Sequence, residues 1–234
     1  MSSSPAAAVP VAFCPCPPLL LPEVAGRAAA DTAALRAACT DAVAALVAAA
    51  PGPVVVVGPD AEGRHGPGDA GDLRGFGVDV EVPLDGEVRP GGRRLPLSLT
   101  VGAWLLRRAG HPGPRVGVGP GDLAAAVAEL PGAGLLVMGD GSARRSEKAP
   151  GHLDPAAAPF DAAVAEALAA GDADALAAVD PDEGERLLAA GVPAWRAAGA
   201  LLAGRDVAAE LRFDDAPFGV GYLVASWTAA GTTP

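Results

Sequence analysis

The chain has 234 residues, of which 50% are apolar and 19% charged, with a formal net charge of −11. This composition suits one globular domain with a large core and excludes a disordered chain. The acidity disfavours nucleic acid as a partner and no apolar run reaches the ~18 residues of a membrane span, so a soluble cytoplasmic protein is expected, with no nucleic-acid or membrane partner. The first 30 residues lack the basic lead of a signal peptide. An odd set of cysteines (Cys14, Cys16 and Cys39) argues against a disulfide scaffold and for a reducing compartment.

Residues 1–8 read as a polar lead and 9–230 as a single domain. Val9 to Cys14 reads as a short buried strand that stops at Cys14-Pro15-Cys16-Pro17-Pro18, because proline supplies no ladder donor. Over residues 29–50, Leu35, Cys39, Val43, Leu46 and Val47 fall on one helical stripe. Pro51-Gly52-Pro53 ends that helix. Val54–Val57 has no polar side at all, which marks a strand covered on both faces. After a Gly- and Asp-rich loop, Phe76 to Val82 alternates, and Val88 to Leu95 is expected to return as a hairpin around Asp85-Gly86. Then come a helix over 97–109, a strand over Arg115 to Gly119, a helix over 122–130, and an apolar strand from Gly134 to Met138. A polar loop over 143–155 leads to helices at 156–170, 173–178, 181–190 and 193–203. The chain closes with a strand at Glu210 to Phe213, a turn over Asp214 to Pro217, and a strand from Gly219 to Trp227. Strands alternating with helices predict an α/β fold, with helices on both faces of one sheet and antiparallel additions that make the sheet mixed.

Ligands of such sheets sit beyond the carboxyl ends of the strands. Three ends stand out: Cys14-Pro15-Cys16-Pro17, Gly58-Pro59-Asp60 and Gly139-Asp140-Gly141-Ser142. Cys14 and Cys16 form a Cys-x-Cys pair able to hold a soft metal, whereas Cys39 reads as core. In the segment from Gly139 to Lys148, small residues let a ligand approach the backbone. Arg144, Arg145 and Lys148, the sole lysine, add positive charge for an anionic substrate. His152 follows this loop. His65 and His111 read as exposed loop residues. Asp214 and Asp215 precede a Gly-rich strand, either as turn formers or as ligands at the mouth of a site. The chain has neither a phosphate-binding Gly-x-x-x-x-Gly-Lys-Ser/Thr loop nor a Gly-x-Ser-x-Gly elbow, which disfavours nucleotide hydrolysis and α/β-hydrolase chemistry.

Taken together, Phe13-Cys14-Pro15-Cys16-Pro17-Pro18-Leu19-Leu20, Gly139–Ser142 with Glu147-Lys148-Ala149-Pro150-Gly151, and Asp214-Asp215-Ala216-Pro217-Phe218-Gly219-Val220-Gly221-Tyr222 resemble the LigB-like family of class III extradiol dioxygenases, in its compact actinobacterial-type branch. Memo-type proteins share that fold. The resemblance implies a three-layer α/β/α sandwich around a mixed, mainly parallel central sheet. It also implies a mononuclear Fe(II) held by two histidines and a glutamate, with a further histidine as acid/base. Here Cys16 and Asp60 stand at the two metal-histidine positions and Ala143 at that of the acid/base histidine.

The expected protein is therefore LigB-like, with a small-molecule or metal crevice and a changed iron set. Cys16 and Asp60 are the metal candidates, for one divalent ion (Fe, Zn or Cu) or for none. Lys148, Asp140, Ser142 and His152 are the catalytic candidates, and Gly139, Gly141, Arg144 and Asp215 the substrate-binding ones. The partner is a small-molecule ligand or substrate, and an oligomer is compatible with the sequence. The alternatives are a working metal-dependent ring-cleaving dioxygenase in which Cys16 and Asp60 replace histidines, and a non-catalytic Memo-type interaction protein.

Overall fold

Four consecutive valines can be accommodated only where both faces of a strand are covered, and Val54–Val57 (β2) is buried throughout, inside the sheet. The computed structural model describes residues 8–231. Of the expected polar lead, residues 1–7 lie outside them. The other strands of the main sheet are β1 (Val9–Cys14), β3 (Arg64–His65), β6 (Arg115–Val118), β7 (Gly134–Met138), β8 (Val207–Asp215) and β9 (Tyr222–Ala229). Their order is β3-β6-β2-β7-β1-β9-β8. The four central strands β6, β2, β7 and β1 run parallel, while β3 and β9 are antiparallel to their neighbours.

Side-chain alternation along these strands separates two cores. Phe13, Val55, Val57, Leu135 and Val137 face a layer built from α4 (Leu123–Glu129), α5 (Ala157–Ala170), α6 (Ala173–Ala178) and α8 (Val192–Leu202). Trp227 is buried in that layer. Its ring meets Phe13 edge-on at 4.8 Å, and its Nε1–H donates to the Leu168 carbonyl at 2.7 Å. Ala12, Cys14, Val54, Val56, Leu136 and Met138 face α2 (Ala33–Ala49) and α3 (Leu97–Arg108). Helix α3 comes unusually close to the sheet because Gly102 lies over Val56, whose Cγ1 would be only 2.7 Å from a Cβ there. The result is an α/β/α sandwich around a mixed, mainly parallel sheet. No helix among the described residues is long and apolar enough to cross a membrane.

The segment between β2 and α3 departs from expectation. In place of a hairpin of 76–82 with 88–95, β4 (Ala70–Asp72) pairs with β5 (Glu81–Pro83), and Arg94 makes only an isolated bridge to Ala70. Pro90-Gly91-Gly92 cannot sustain a ladder, so the return strand never forms. At the other end, β8 is longer than expected and takes in Asp214 and Asp215. It forms one edge of the sheet and carries a bulge between Leu211 and Phe213. Leu211 packs against one layer and Phe213 against the other. The short α1 (Pro22–Ala25) and α7 (Pro181–Arg186) complete the chain. Asp180 caps α7, its carboxylate accepting from the Asp182 amide at 2.9 Å.

Candidate functional site

Register brings the site together. Phe13, Val137 and Val57 lie side by side across β1, β7 and β2. Cys16, Asp140 and Asp60 are each three residues further on, so all three leave the sheet at one level. Prolines 15 and 17 hold the Cys16 loop extended. The Cys16 amide donates to Asp140 Oδ1 at 2.7 Å. Cys16 is buried, Asp140 partly buried and Asp60 exposed. Asp60 accepts from the hydroxyl of Ser98 in the first turn of α3. Tyr222, at the start of β9, is the fourth member.

These groups oppose one another's ionisation. Burial first, then the Asp140 and Asp60 charges, push the Cys16 thiol well above its usual range. Burial and the Asp60 charge raise the Asp140 carboxyl to about 6, against the pull of its hydrogen bonds from Cys16. Burial, Asp140 and Cys16 keep the Tyr222 phenol protonated. No cationic side chain is among the causes of any of these shifts. Cys14 points to the α2 side, where burial and the Cys14 contact hold the Cys39 thiol protonated.

The Gly139–Ser142 loop is built by close backbone packing. A Cβ on Gly139 would lie 2.4 Å from the Gly191 Cα, and one on Gly141 would lie 2.8 Å from Asp161 Oδ1. Ser142 is fully buried. Its hydroxyl donates to the Leu187 carbonyl at 2.7 Å, and its amide to Asp161 Oδ1 at 2.8 Å. Arg145 is drawn inward to Asp161 at 2.8 Å, and Arg144 is partly buried beside it. Lys148 and His152 lie on the exposed outer part of the loop, where His152 Nδ1 sits 3.0 Å from the Glu147 carbonyl. Asp215 is exposed at the end of β8 and accepts from the Ala216 amide. Thus Cys16, Asp60 and Asp140 converge, and Gly139, Gly141 and Ser142 shape the loop that carries Asp140. Among the described residues, no hydrogen bond or ion pair joins Arg144, Lys148, His152 or Asp215 to Cys16, Asp60 or Asp140; the Arg144 amide does donate to the Ser142 hydroxyl at 3.2 Å.

Two histidines read as exposed loop residues are in fact buried. His65 pairs with Gly117 across β3 and β6, and His111 is covered where the chain turns from α3 towards β6. Sequence reasoning also missed Ser98, Tyr222 and Asp161. Asp161 did carry a signal: it is an acid on the helical face shared with Phe160, Val164 and Leu168, and an acid there needs a buried partner.

A two-histidine, one-glutamate iron set does not fit these residues. No histidine is among the groups that act on Cys16 or Asp140, the Cys16 thiol is held protonated, and one Asp140 oxygen is already engaged by a backbone amide. Among the described residues, no three His, Cys, Asp or Glu side chains are grouped so as to hold a metal ion. Beside Asp60 opens a cavity of about 640 Å³, lined by Glu62, His65, Asp72, Phe76, Arg93 and their neighbours.

No family model matches the chain, and no curated protein matches it significantly. Among solved structures it is similar to a protein of Escherichia coli K12 described as uncharacterized protein JW3007, with 15% sequence identity, 94% of this chain and 99% of that chain covered, and a TM-score of 0.46.

Proposed function

We propose that this is a LigB-like protein whose crevice binds a small molecule without the family's iron set, with Asp140 as the group that exchanges a proton with the ligand. The observation that carries this reading is the meeting of Cys16, Asp60 and Asp140 beyond the carboxyl ends of three adjacent parallel strands. A carboxyl raised to about 6 is mostly ionised at neutral pH, so it can take a proton, yet it holds that proton far better than an ordinary carboxylate and can return it. Cys16 supports it as a positioning residue, because its amide fixes the Asp140 carboxylate through Oδ1. Tyr222 contributes a neutral hydroxyl wall.

The test is metal analysis of reduced, anaerobically purified protein beside Cys16→Ser, together with oxygen uptake in the presence of catechol. The expected result is sub-stoichiometric metal in both proteins and no catechol-dependent oxygen uptake. One equivalent of iron, zinc or copper that disappears in Cys16→Ser, accompanied by oxygen uptake, would replace this reading with that of a working dioxygenase.

A further inference from the structure

His65 and Asp69 form a pair that the Asp140 crevice does not use. His65 ends β3, where Gly117 of β6 pins it, and Asp69 follows one short turn later. Asp69 is buried and held from several sides. Its Oδ1 accepts from the Arg93 amide at 2.8 Å, its Oδ2 accepts from the Gly66 amide at 3.1 Å, and Arg93 Nη2 lies 3.3 Å from Oδ2. Against burial, these amides and the Arg93 charge hold the carboxyl below its usual range, so it stays ionised. The same Oδ2 lies 3.5 Å from His65 Nδ1. Catalytic contacts of this kind tighten when substrate binds.

An ionised carboxylate only accepts, so it places the imidazole proton on Nδ1 and the lone pair on Nε2. Among the described residues, both ring nitrogens of His111 are sealed from solvent without a partner, whereas at His65 only Nδ1 is. The His65 ring lines the cavity of about 640 Å³, so Nε2 is the nitrogen it offers there. Burial first, then Arg93, keep the ring neutral against the pull of Asp69 and the Glu62 carbonyl. The first turn of α3 lines the same cavity through Pro96, Leu97 and Thr100. The leading amides of a helix have no carbonyl partner within it and suit a developing negative oxygen. Asp60 and Glu62 on the wall disfavour an anionic substrate.

We infer that this cavity is a hydrolytic site for small neutral esters, in which His65 is the catalytic base and Asp69 the residue that positions it. His65 Nε2 takes a proton from water, and the water oxygen bonds to the ester carbonyl carbon. The bond from that carbon to the alcohol oxygen then breaks, and the proton passes from Nε2 to the leaving oxygen. Water and ester thus give acid and alcohol without a serine nucleophile. Asp140 is not on the wall of this cavity, so failure here leaves the Asp140 reading standing.

The probe is 4-nitrophenyl acetate, with release of 4-nitrophenolate followed on the full chain. The expected result is saturable hydrolysis, faster than by an equal concentration of free imidazole. His65→Gln should lower kcat/KM at least about a hundred-fold. Asp69→Asn should lower kcat more than it changes KM. It should also move the acid limb of the pH profile to lower pH, because the carboxylate that favours the protonated ring is gone. His152→Gln, on the exposed outer loop, is the control. Diethyl pyrocarbonate on the wild type keeps the test open if these variants fail to fold. Followed peptide by peptide, it should modify His65 in step with the loss of hydrolysis and spare His111. Hydrolysis no faster than by imidazole, hydrolysis that survives His65→Gln, or hydrolysis lost in His152→Gln would overturn the assignment. So would a His65 as inert to the reagent as His111.

Discussion

At Asp140, burial and the nearby Asp60 charge oppose ionisation while the Cys16 amide favours it, and burial prevails. Moving a carboxyl from 3.8 to about 6 costs at most about 3 kcal/mol of stability once it is ionised. Because the folded-state value is raised, this group's favourable contribution is complete below 3.8 and is lost as the pH rises through about 6. Asp140→Asn keeps an acceptor for the Cys16 amide and removes the charge. Urea denaturation should show the variant more stable than wild type by roughly 1–2 kcal/mol in alkaline buffer, with the gap closing near pH 4. A constant gap across that range would mean that Asp140 is not displaced from its ordinary value. The same field acts on Cys16. Its alkylation by iodoacetamide at neutral pH should be slow and should accelerate in Asp140→Asn, since removing the carboxylate favours the reactive thiolate.

Among the elements, the loop from Gly139 to Asp154 is held from beneath by α5 through Asp161. That carboxylate accepts from the Ser142 amide and from Arg145, and it is fully buried. Asp161→Ala would strand both donors. It should cost about 3 kcal/mol in a urea melt and raise amide exchange across residues 139–154. Lys148→Ala, on the exposed outside of the same loop, should change stability by no more than about 0.5 kcal/mol. Gly58 at the end of β2 offers a third test. A Cβ there would lie 2.0 Å from Ser98 Oγ, the group that holds Asp60. Gly58→Ala should therefore weaken ligand binding in the crevice more than it lowers the melting temperature, and equal losses in the two measurements would argue against a positioning role for Ser98. The sequence made the four-valine strand, the Gly134–Met138 strand and the helices around them legible, because an apolar run bounded by Pro and Gly leaves the backbone few alternatives. It also identified the three loops that meet. It could not identify Ser98, which comes from a helix 38 residues beyond Asp60 along the chain, nor separate Lys148 from Asp140. Both lie within one loop, and only folding turns one inward and the other out.

For the molecule as a whole, mild acid acts on two opposed sets of buried groups. His65 and His111 are both buried, and burial, then Arg93 and Arg115 respectively, lower their affinity for protons. Neither ring nitrogen of His111 has a partner among the described residues. A histidine with a lowered folded value contributes stability that is present above 6.5 and is lost as the pH falls below it. These histidines therefore oppose Asp140, whose contribution grows over the same fall in pH, and His111→Gln should shift the slope of the denaturation midpoint between neutral pH and about pH 5 towards greater stability in acid. An unchanged slope would mean that His111 titrates alike in the folded and unfolded chain. These burials were not legible in the sequence. Gly and Pro on either side of each histidine suggest an outward loop, and only the pairing of β3 with β6 covers His65.

The edge of the sheet at β8 has a consequence for how the protein behaves at high concentration. Nine residues of strand without proline would normally be a template on which further chains could stack without limit. The bulge between Leu211 and Phe213 interrupts the even spacing of amide and carbonyl groups that such stacking requires. Glu210 and Arg212, paired at 2.7 Å beside it, would have to give up water for every chain added. The irregularity that moves Phe213 from one core layer to the other thus also guards this edge against fibril growth.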